Sequence, residues 1–562
     1  MKRTIRRSRR LRAALGGVLG AGLLVSGVGV NEAEAVTFIK SDLEFMLQQI
    51  KISENHAAGN PLSGNGPFQI ANPMLMYGVR TVDGTYNNLQ PGQSHFGAAD
   101  QVFPRATTAL FRSAEDFSMF PGAPGQPIGT PTGYTQTKGY VQDSQPRVIS
   151  NLVVDQSSNN PAAVAAAAAK EGSVPVDDGF PDNPDPFFIP NTATDAGLSA
   201  PYNSWFTFFG QFFDHGLDLV NKGKSGTVLV PLQSDDPLIK GKDGIEGTPD
   251  ALPPHLQFMA LTRATNQPGP DGIVGDNPAT PLVDESADDI HNATNQTTPF
   301  VDQNQTYTSH PSHQVFHREY VSSPIDGMPV ATGRLLDGAT GGLANWAEAK
   351  AQAVTMLGIQ LSDFDVLNVP KLETDEYGRV LRNAAGFARI ALTGGGFLEG
   401  AAGGVAVPLD AVRTGHAFMD DIAHHAAPGS FDHDNNPATP KVAQTADLLA
   451  GTADDNDPGT YDDELLNLHF ITGDGRGNEN IGLTTVHHVF HSEHNRLVGH
   501  VKDVVSGTAS TGDFTFLNEW LITPVSAIPA DPNDLVWNGE RLFQAAKFGT
   551  EMQYQHLVFE EF

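Results

Sequence analysis

The chain of 562 residues contains no cysteine. This absence excludes disulfides, thiolate nucleophiles and Cys-ligated metal centres. Basic side chains are also scarce, with 34 Lys and Arg against 65 Asp and Glu, for a formal net charge of -31. Nucleic-acid binding needs clustered Lys and Arg that neutralise phosphates, and a membrane surface attracts a basic face. We therefore expect no nucleic-acid partner.

The sequence also lacks an internal repeat, a phosphate-binding Gly-rich loop and a series of alternating strands. Glycine and proline, by contrast, are abundant at 58 and 39 residues, which predicts long irregular connections. Residues 225–296 in particular are predicted to be a surface loop. Helical patterns occur at 162–170, 205–219, 343–361, 443–450 and 481–505, and from 538 to the end. The sequence thus predicts a mainly α fold with long irregular loops.

The first 35 residues have the pattern of an export signal. A basic start precedes an apolar, Gly-rich stretch at 13–30, and Ala33-Glu34-Ala35 offers a small-x-small cleavage site. A membrane anchor is the alternative, but this stretch is short and weakly hydrophobic for a bilayer span. We predict a cleaved signal peptide, an extracellular or periplasmic protein and no stable membrane span after cleavage.

A polar stripe lies on the apolar helix predicted at 205–219. Its members recur at intervals of three and four, which places them on one face: Thr207, Gln211, Asp214, His215 and Asp218. The other faces carry Phe and Leu, so we expect the helix to be buried nearly all round, with Asn203 or Ser204 as its N-cap. Burying these polar groups without partners is costly. A cofactor, an active site or an ordinary hydrogen-bond network could receive them.

A second group of residues follows a Gly-rich loop at 473–480, which contains Arg476 and Glu479. On the helix after it, His487, His491 and His494 share one face, which is compatible with a metal site. The His-Glu-x-x-His motif of zinc proteases is absent. We interpret residues 493–496, Glu-His-Asn-Arg, as packed polar scaffolding.

A third segment alternates oxygen-bearing residues along a short loop, with Thr298, Asp302 and Asn304 as its members. Hard oxygen donors at every second position suit Ca²⁺. Asx-rich turns without a metal are the alternative.

Taken together and in this order, the three segments resemble the animal-type haem peroxidase family, also called the peroxidase-cyclooxygenase superfamily, in its bacterial secreted form. The resemblance rests on Gly210-Gln211-Phe-Phe-Asp214-His215, on Arg476-x-x-Glu479 and on residues 493–497. Residues 87–91, 103–105, 146–150 and 300–302 support it, and it covers about residues 75–562. It implies a haem-peroxidase-like helical domain over 36–562, with a loop-rich insertion at about 310–465.

The resemblance also implies residue roles. His215 would be the distal base that moves a proton between the two oxygens of hydrogen peroxide. Arg476 would stabilise the charge that develops on the peroxide, and Gln211 would hold a distal water or anion. The implied cofactor is haem b, and Asp214 and Glu479 match the carboxylates that form ester links to haem in many animal members.

Calcium is the second implied cofactor. Thr298, the carbonyl of Phe300, Asp302 and Asn304 match the calcium loop of the family. The family's remaining calcium ligand is an Asp directly after the distal His, and that position is Gly216 here.

The segment that carries the family's proximal histidine is missing at its expected position in the sequence. The proximal His that ligates iron lies in an Arg-x-Gly-His pattern downstream of the Glu-His-Asn-Arg helix, and no such pattern follows residue 497. Arg413-Thr-Gly-His416 imitates it but precedes Arg476, so we do not assign His416 as the ligand. We therefore expect a C-terminally truncated family member.

Three functions are compatible with these observations. The first is a haem-dependent peroxidase that reduces hydrogen peroxide and oxidises a small-molecule electron donor. The second is a fatty-acid dioxygenase of the same superfamily, and the third is a non-catalytic, acidic calcium-binding remnant without the proximal haem ligand.

Overall fold

The computed structural model of the chain describes residues 36–71, 78–103, 161–175, 187–188, 203–220, 222–240, 245–249, 251–254, 257–264, 294–420, 426–428, 430–431, 442–446, 459–531 and 534–562. The predicted export signal lies outside the described residues. Of the described residues, 39% are helical and 16% are extended, which confirms the mainly α fold. None of the described helices is both long and apolar enough to cross a membrane.

The chain divides into two compact units. The first comprises Met1–Ser94, Val301–Ala427 and Leu465–Phe562, and the second comprises His95–Phe300 and Pro428–Glu464. The described α-helices are α1 (Lys40–Ala57), α2 (Pro161–Ala169), α3 (Ser204–Leu217), α4 (Pro237–Lys240), α5 (Asn304–Tyr307), α6 (Pro311–His317), α7 (Trp346–Gln352), α8 (Asp463–Leu468), α9 (Ile481–Ser510), α10 (Phe514–Glu519) and α11 (Gly539–His556). Two π-helical segments, Ala353–Leu357 and Leu557–Glu561, continue α7 and α11. Short 3₁₀ helices occur at Asp363–Leu367 and Gly475–Asn478.

The described strands form two-stranded ladders. In the first unit, β7 (Arg318–Ser322) pairs with β8 (Pro329–Leu335), β9 (Ile359–Gln360) with β12 (Val405–Ala406), and β10 (Arg389–Ala391) with β11 (Phe397–Glu399). In the second, β1 (Gln101–Val102) pairs with β6 (Thr294–Asn295), β2 (Val174–Pro175) with β3 (Phe187–Phe188), and β4 (Lys222–Pro231) with β5 (Phe258–Ala264). The last pairs there join β13 (Ser430–Phe431) to β14 (Val442–Ala443) and β15 (Thr445–Ala446) to β16 (Thr460–Tyr461). The β9–β12 and β15–β16 pairs are parallel, and the others are antiparallel.

Most of the predicted helices are present, but two predictions were wrong. Residues 225–296 are not all loop, because β4 and β5 form an antiparallel ladder within them. The run Thr227-Val-Leu-Val230 has the β-branched character of a strand, which outweighs the surrounding Gly and Pro. The helix predicted at 443–450 is also absent from its described part, where residues 442–443 and 445–446 are extended.

The apolar core of the first unit lies among α1, α9, α10 and α11. The long helix α9 begins where the Asn480 side chain accepts a hydrogen bond from the Leu483 N–H. From there, buried apolar residues form one stripe along the helix: Leu483, Val486, Phe490, Leu497, Val498, Val501 and Val505. A 30-residue helix is about 45 Å long. The C-terminal half of α9 therefore packs in the core, while its N-terminal half follows the loop that contains Arg476.

Strand β8 crosses the start of α11 at a point where only glycine fits. A Cβ on Gly539 would overlap the carbonyl oxygen of Ala331. The absence of a side chain thus lets the helix lie directly against the strand. The close approach helps to fix β8 beside the polar residues of α9.

Candidate active-site residues

Helix α3 of the second unit carries His215. The helix starts at the predicted position, because the Asn203 side chain accepts a hydrogen bond from the Trp205 N–H at 3.0 Å. His215 lies near the C-terminal end of the helix and is 6% exposed. It is on the same buried face as Phe209 and Phe212. His215 therefore shares the buried face of a regular helix with two aromatic side chains.

The prediction that the whole polar stripe points inward was wrong. Thr207, Asp214 and Asp218 are exposed, and Gln211 is half-buried. An α-helix turns by about 100° per residue, so a stripe spread over intervals of three and four spans more than the width of the buried face. Only His215 falls at its centre.

Asn295 holds the C-terminal end of α3 in place. Its Oδ1 accepts from the Leu219 N–H at 2.9 Å, and its Nδ2 donates to the Leu217 carbonyl at 2.9 Å. The same Oδ1 accepts from the N–H and the hydroxyl of Thr297. Asn295 is 3% exposed and so ties the helix end behind His215 to the start of the predicted calcium loop. The sequence carried no signal for this role, because the residue lies in an Asx-rich stretch like any other.

The predicted calcium loop contains buried oxygen-bearing side chains. Thr298, Asp302 and Asn304 are 0%, 5% and 3% exposed, and Phe300 is half-buried. Asp302 Oδ1 accepts from the Asn304 N–H at 3.2 Å and from Asn304 Nδ2 at 3.0 Å. This is the geometry of an Asx turn. Within the described residues, no group of three or more His, Asp or Glu side chains is arranged to hold a metal ion, and calcium binding stays a prediction.

Arg476 of the first unit is fixed by Asp474. The Asp474 carboxylate accepts from the Arg476 N–H at 2.9 Å, from Nε at 2.8 Å and from Nη2 at 2.7 Å. Burial disfavours the guanidinium charge, but the hydrogen bonds and the charge of Asp474 outweigh it and raise the pKa of Arg476. The group thus stays cationic in a mostly buried position. Glu479 ends the 3₁₀ turn, with its N–H donating to the Arg476 carbonyl, and is half-buried.

The backbone of the loop that contains Arg476 lies directly against α5. A Cβ on Gly473 would be 2.6 Å from the carbonyl oxygens of Asn304 and Gln305, which no side chain could tolerate.

Asp420 is a second acidic neighbour of this loop, and its N–H donates to the Gly475 carbonyl. Burial and then repulsion from Asp474 raise the pKa of Asp420 to about 6. Sequence reasoning missed both acidic neighbours of Arg476, because an acidic residue in a turn is unremarkable in a chain with 65 of them.

His491, His494 and Asn495 of α9 make hydrogen bonds to neighbouring segments of the first unit. His494 Nε2 donates to the Gly333 carbonyl at 3.0 Å, so its Nδ1 accepts from the Tyr307 hydroxyl at 2.8 Å. Asn495 bonds both the N–H and the carbonyl of Leu335 on β8. His491 Nε2 lies 2.8 Å from Asp337 Oδ1. These contacts join α9 to α5 and β8, and the metal-site alternative finds no support in the described residues.

A group of buried histidines in the first unit was not anticipated from the sequence. His313 and His317 of α6 are 2% and 6% exposed, and their Nε2 atoms lie 3.0 Å apart. The His416 ring is also buried and lies 5.2 Å from the His310 ring. Burial lowers the pKa of His313 and lowers the pKa of His317 to about 3. His416 therefore lies in the interior of the first unit, next to His310.

One family model matches the C-terminal part of the chain. Residues 439–562 match the sequence model of the animal haem peroxidase family. This span contains Arg476, Glu479 and helices α9 to α11, whereas His215, Gln211 and residues 298–304 lie outside it. No curated protein matches the chain.

Among solved structures, the chain is similar to the fatty acid alpha-dioxygenase of Oryza sativa, with 13% identity, a TM-score of 0.20 and coverage of 55% of this chain and 39% of that chain. The Arabidopsis thaliana fatty acid alpha-dioxygenase gives 13% identity, a TM-score of 0.18 and coverage of 55% and 34%. The aligned part thus spans less than half of either enzyme.

Proposed function

We propose that the chain is a haem-dependent peroxidase. The proposal starts from the match of residues 439–562 to the animal haem peroxidase model. The chain would reduce hydrogen peroxide to water and oxidise a small-molecule electron donor. The observation that carries the proposal is the guanidinium of Arg476, which lies inside the matched span and is held in one orientation by Asp474. A fixed, buried cation is the group that peroxide cleavage needs, because negative charge grows on the departing oxygen.

His215 suits the role of the proton carrier. A neutral imidazole accepts a proton from one peroxide oxygen and returns it to the other, so that the second oxygen leaves as water. The burial of His215 beside Phe209 and Phe212 keeps bulk water from competing for that proton. Gln211 lies one turn earlier on α3 and is half-buried, which suits a residue that holds a water or an anion near His215.

In this proposal His215, Gln211 and Arg476 face the peroxide, and Glu479 and Asp214 contact the cofactor. Haem, when bound, would supply the iron that exchanges electrons with peroxide and donor. Glu479 is half-buried beside Arg476 and suits a carboxylate that contacts the cofactor. Asp214 is exposed on α3, so an ester link to haem through Asp214 is the weaker of the two assignments. The overall reaction balances: one hydrogen peroxide takes one electron and one proton from each of two donors and gives two waters and two one-electron-oxidised donors.

Two further parts of the proposal rest on sequence resemblance. Thr298, Phe300, Asp302 and Asn304 would hold Ca²⁺ in the loop that follows Asn295, and three of their side chains are buried oxygen donors. The basic leader at 1–35 would direct the protein to the periplasm or the extracellular medium.

The test is peroxide-dependent oxidation of a phenolic donor by the full chain with added haemin. We expect activity that rises with haemin, and His215→Ala should lower kcat by about 10²- to 10⁴-fold, the usual contribution of a general base. His556→Ala is the matched control, because the His556 side chain is 47% exposed on α11, and it should leave kcat unchanged. Full activity of the His215→Ala variant would remove His215 from the mechanism, and an inactive wild-type chain that binds haem would contradict the peroxidase assignment.

A further inference from the structure

A cleft of about 650 Å³ opens in the first unit, away from the residues assigned to peroxide chemistry. The C-terminal half of α1, the start of β8, the turn at 375–382 and the start of α11 line it. Its volume falls in the range of roughly 300–1,000 Å³ that is typical of small-molecule sites.

Two of the acidic side chains in the cleft are neutralised by arginines. Glu540 forms an ion pair with Arg318, whose side chain is 1% exposed. Glu54 accepts two hydrogen bonds from Arg541, at 2.7 and 2.8 Å. These carboxylates therefore contribute little negative charge to a ligand.

The two arginines that line the cleft have no such partners. Arg382 Nη1 donates to the carbonyl oxygens of Met356 and Gly386, at 3.3 and 2.7 Å, and its Nη2 has no acceptor in the described part of the chain. The Arg379 side chain is exposed and makes no hydrogen bond or ion pair with the described residues. Neither guanidinium is paired with a carboxylate of the described residues, so the positive charge of both groups remains available to an anion in the cleft.

One acidic residue opposes them. The Asp375 carboxylate accepts from the N–H groups of Tyr377 and Arg379, at 3.0 and 2.9 Å, and burial raises the pKa of Asp375. Of the three carboxylates in the cleft, two are thus paired with arginines and the third accepts from backbone donors, which leaves Arg379 and Arg382 without a carboxylate partner in the part of the chain that the structure describes.

Apolar residues flank the arginines. Leu381 and Ile522 line the cleft and are 37% and 49% exposed, and Ile50 and Val330 lie with them. Guanidinium donors surrounded by aliphatic side chains match a ligand with a negatively charged end and an apolar body.

We propose that this cleft binds a small organic carboxylate, whose carboxylate meets Arg382 and Arg379 and whose apolar body packs on Leu381 and Ile522. The site needs no haem and involves none of the proposed catalytic residues. A test of carboxylate binding is therefore independent of the peroxidase assignment.

The test is isothermal titration of the full chain with 3-phenylpropionate and with its neutral isostere 3-phenylpropanamide. We expect saturable binding of the carboxylate and an affinity for the amide that is weaker by about tenfold or more, the loss of one charge-assisted contact. A second arm with phenyl phosphate distinguishes carboxylate selectivity from general anion binding, and tighter binding of the phosphate would overturn the assigned class.

Two variants locate the site. Arg379→Gln should weaken 3-phenylpropionate binding by about tenfold and should not disturb the fold, because the side chain is exposed. Arg382→Lys keeps the charge but removes the planar fork, and it should weaken binding to a similar degree. Lys371→Gln is the control, since Lys371 is an exposed cation outside the cleft. No binding by the wild-type chain, equal binding of acid and amide, or equal losses in Arg379→Gln and Lys371→Gln would each overturn the proposal.

Discussion

The buried pair of His313 and His317 predicts a specific loss of stability in weak acid. The His317 side chain is buried inside the first unit. Burial, and to a smaller extent electrostatic repulsion from His491 and His487, lowers the pKa of His317 from 6.5 to about 3. The folded chain therefore keeps His317 neutral at a pH where the unfolded chain protonates it. Because the folded pKa lies below the unfolded one, the stabilising contribution is complete above pH 6.5 and is lost as the pH falls toward 3.

The magnitude follows from the pKa difference. At pH 5.0 the solution lies 1.5 pH units below the unfolded pKa and well above the folded one, and each unit corresponds to about 1.4 kcal/mol. His317 should thus lower the free energy of unfolding by roughly 2 kcal/mol between pH 7.5 and 5.0. In His317→Gln this loss is absent, while an amide remains near the position of Nε2 to bond His313.

The assay is urea unfolding at pH 7.5 and 5.0, followed by tryptophan fluorescence. Trp346 and Trp520 are fully buried in the first unit and report its unfolding. The stability advantage of the wild-type chain over His317→Gln should shrink by about 2 kcal/mol on acidification. His556→Gln controls for acid effects on an exposed histidine and should show no such change. A wild-type advantage that is the same at both pH values would refute the assignment of His317 as a buried neutral group.

Two further substitutions test the contacts that position the site. Asn495→Ala removes the hydrogen bonds to the Leu335 N–H and carbonyl. Because these buried backbone groups lose their partner, the free energy of unfolding in urea titrations should fall by about 2–3 kcal/mol. A change below about 0.5 kcal/mol would show that β8 does not depend on its contact with α9. Leu542→Ala removes a fully buried side chain from the core and should cost about 2–5 kcal/mol, seen as a lower Tm. Leu367→Ala, at a residue that is 42% exposed, should stay within about 0.5 kcal/mol, and equal losses at the two sites would contradict the described packing.

Local pattern was enough to predict the helices that carry the candidate site. Helix α9 repeats apolar residues at helical spacing over 30 residues, and α3 combines an Asn cap with a dense run of aromatic residues. Both signals are contained within the segment itself. The β4–β5 ladder depends on a partner strand that begins 27 residues after Pro231, so a window of local sequence rich in Gly and Pro suggested a loop instead.

The candidate residues were predictable as types, but their environments were not. The sequence indicated an arginine in a Gly-rich loop, whereas the bidentate contact that fixes Arg476 comes from Asp474, two residues away in a turn. It indicated a polar stripe on α3, whereas burial selects His215 and leaves Asp214 exposed. Asn295 reaches the end of α3 across 76 residues of sequence, and no local pattern marks such a contact.

The most direct test of the proposed peroxidase is a haemin titration of the full chain, followed by absorption in the Soret region before and after addition of hydrogen peroxide. We expect a saturable, shifted Soret band that changes rapidly with peroxide, and a His215→Ala variant that keeps the shifted band but loses the rapid response. A Soret band that stays at the position of free haemin, or a peroxide response that is identical in wild type and His215→Ala, would contradict the assignment.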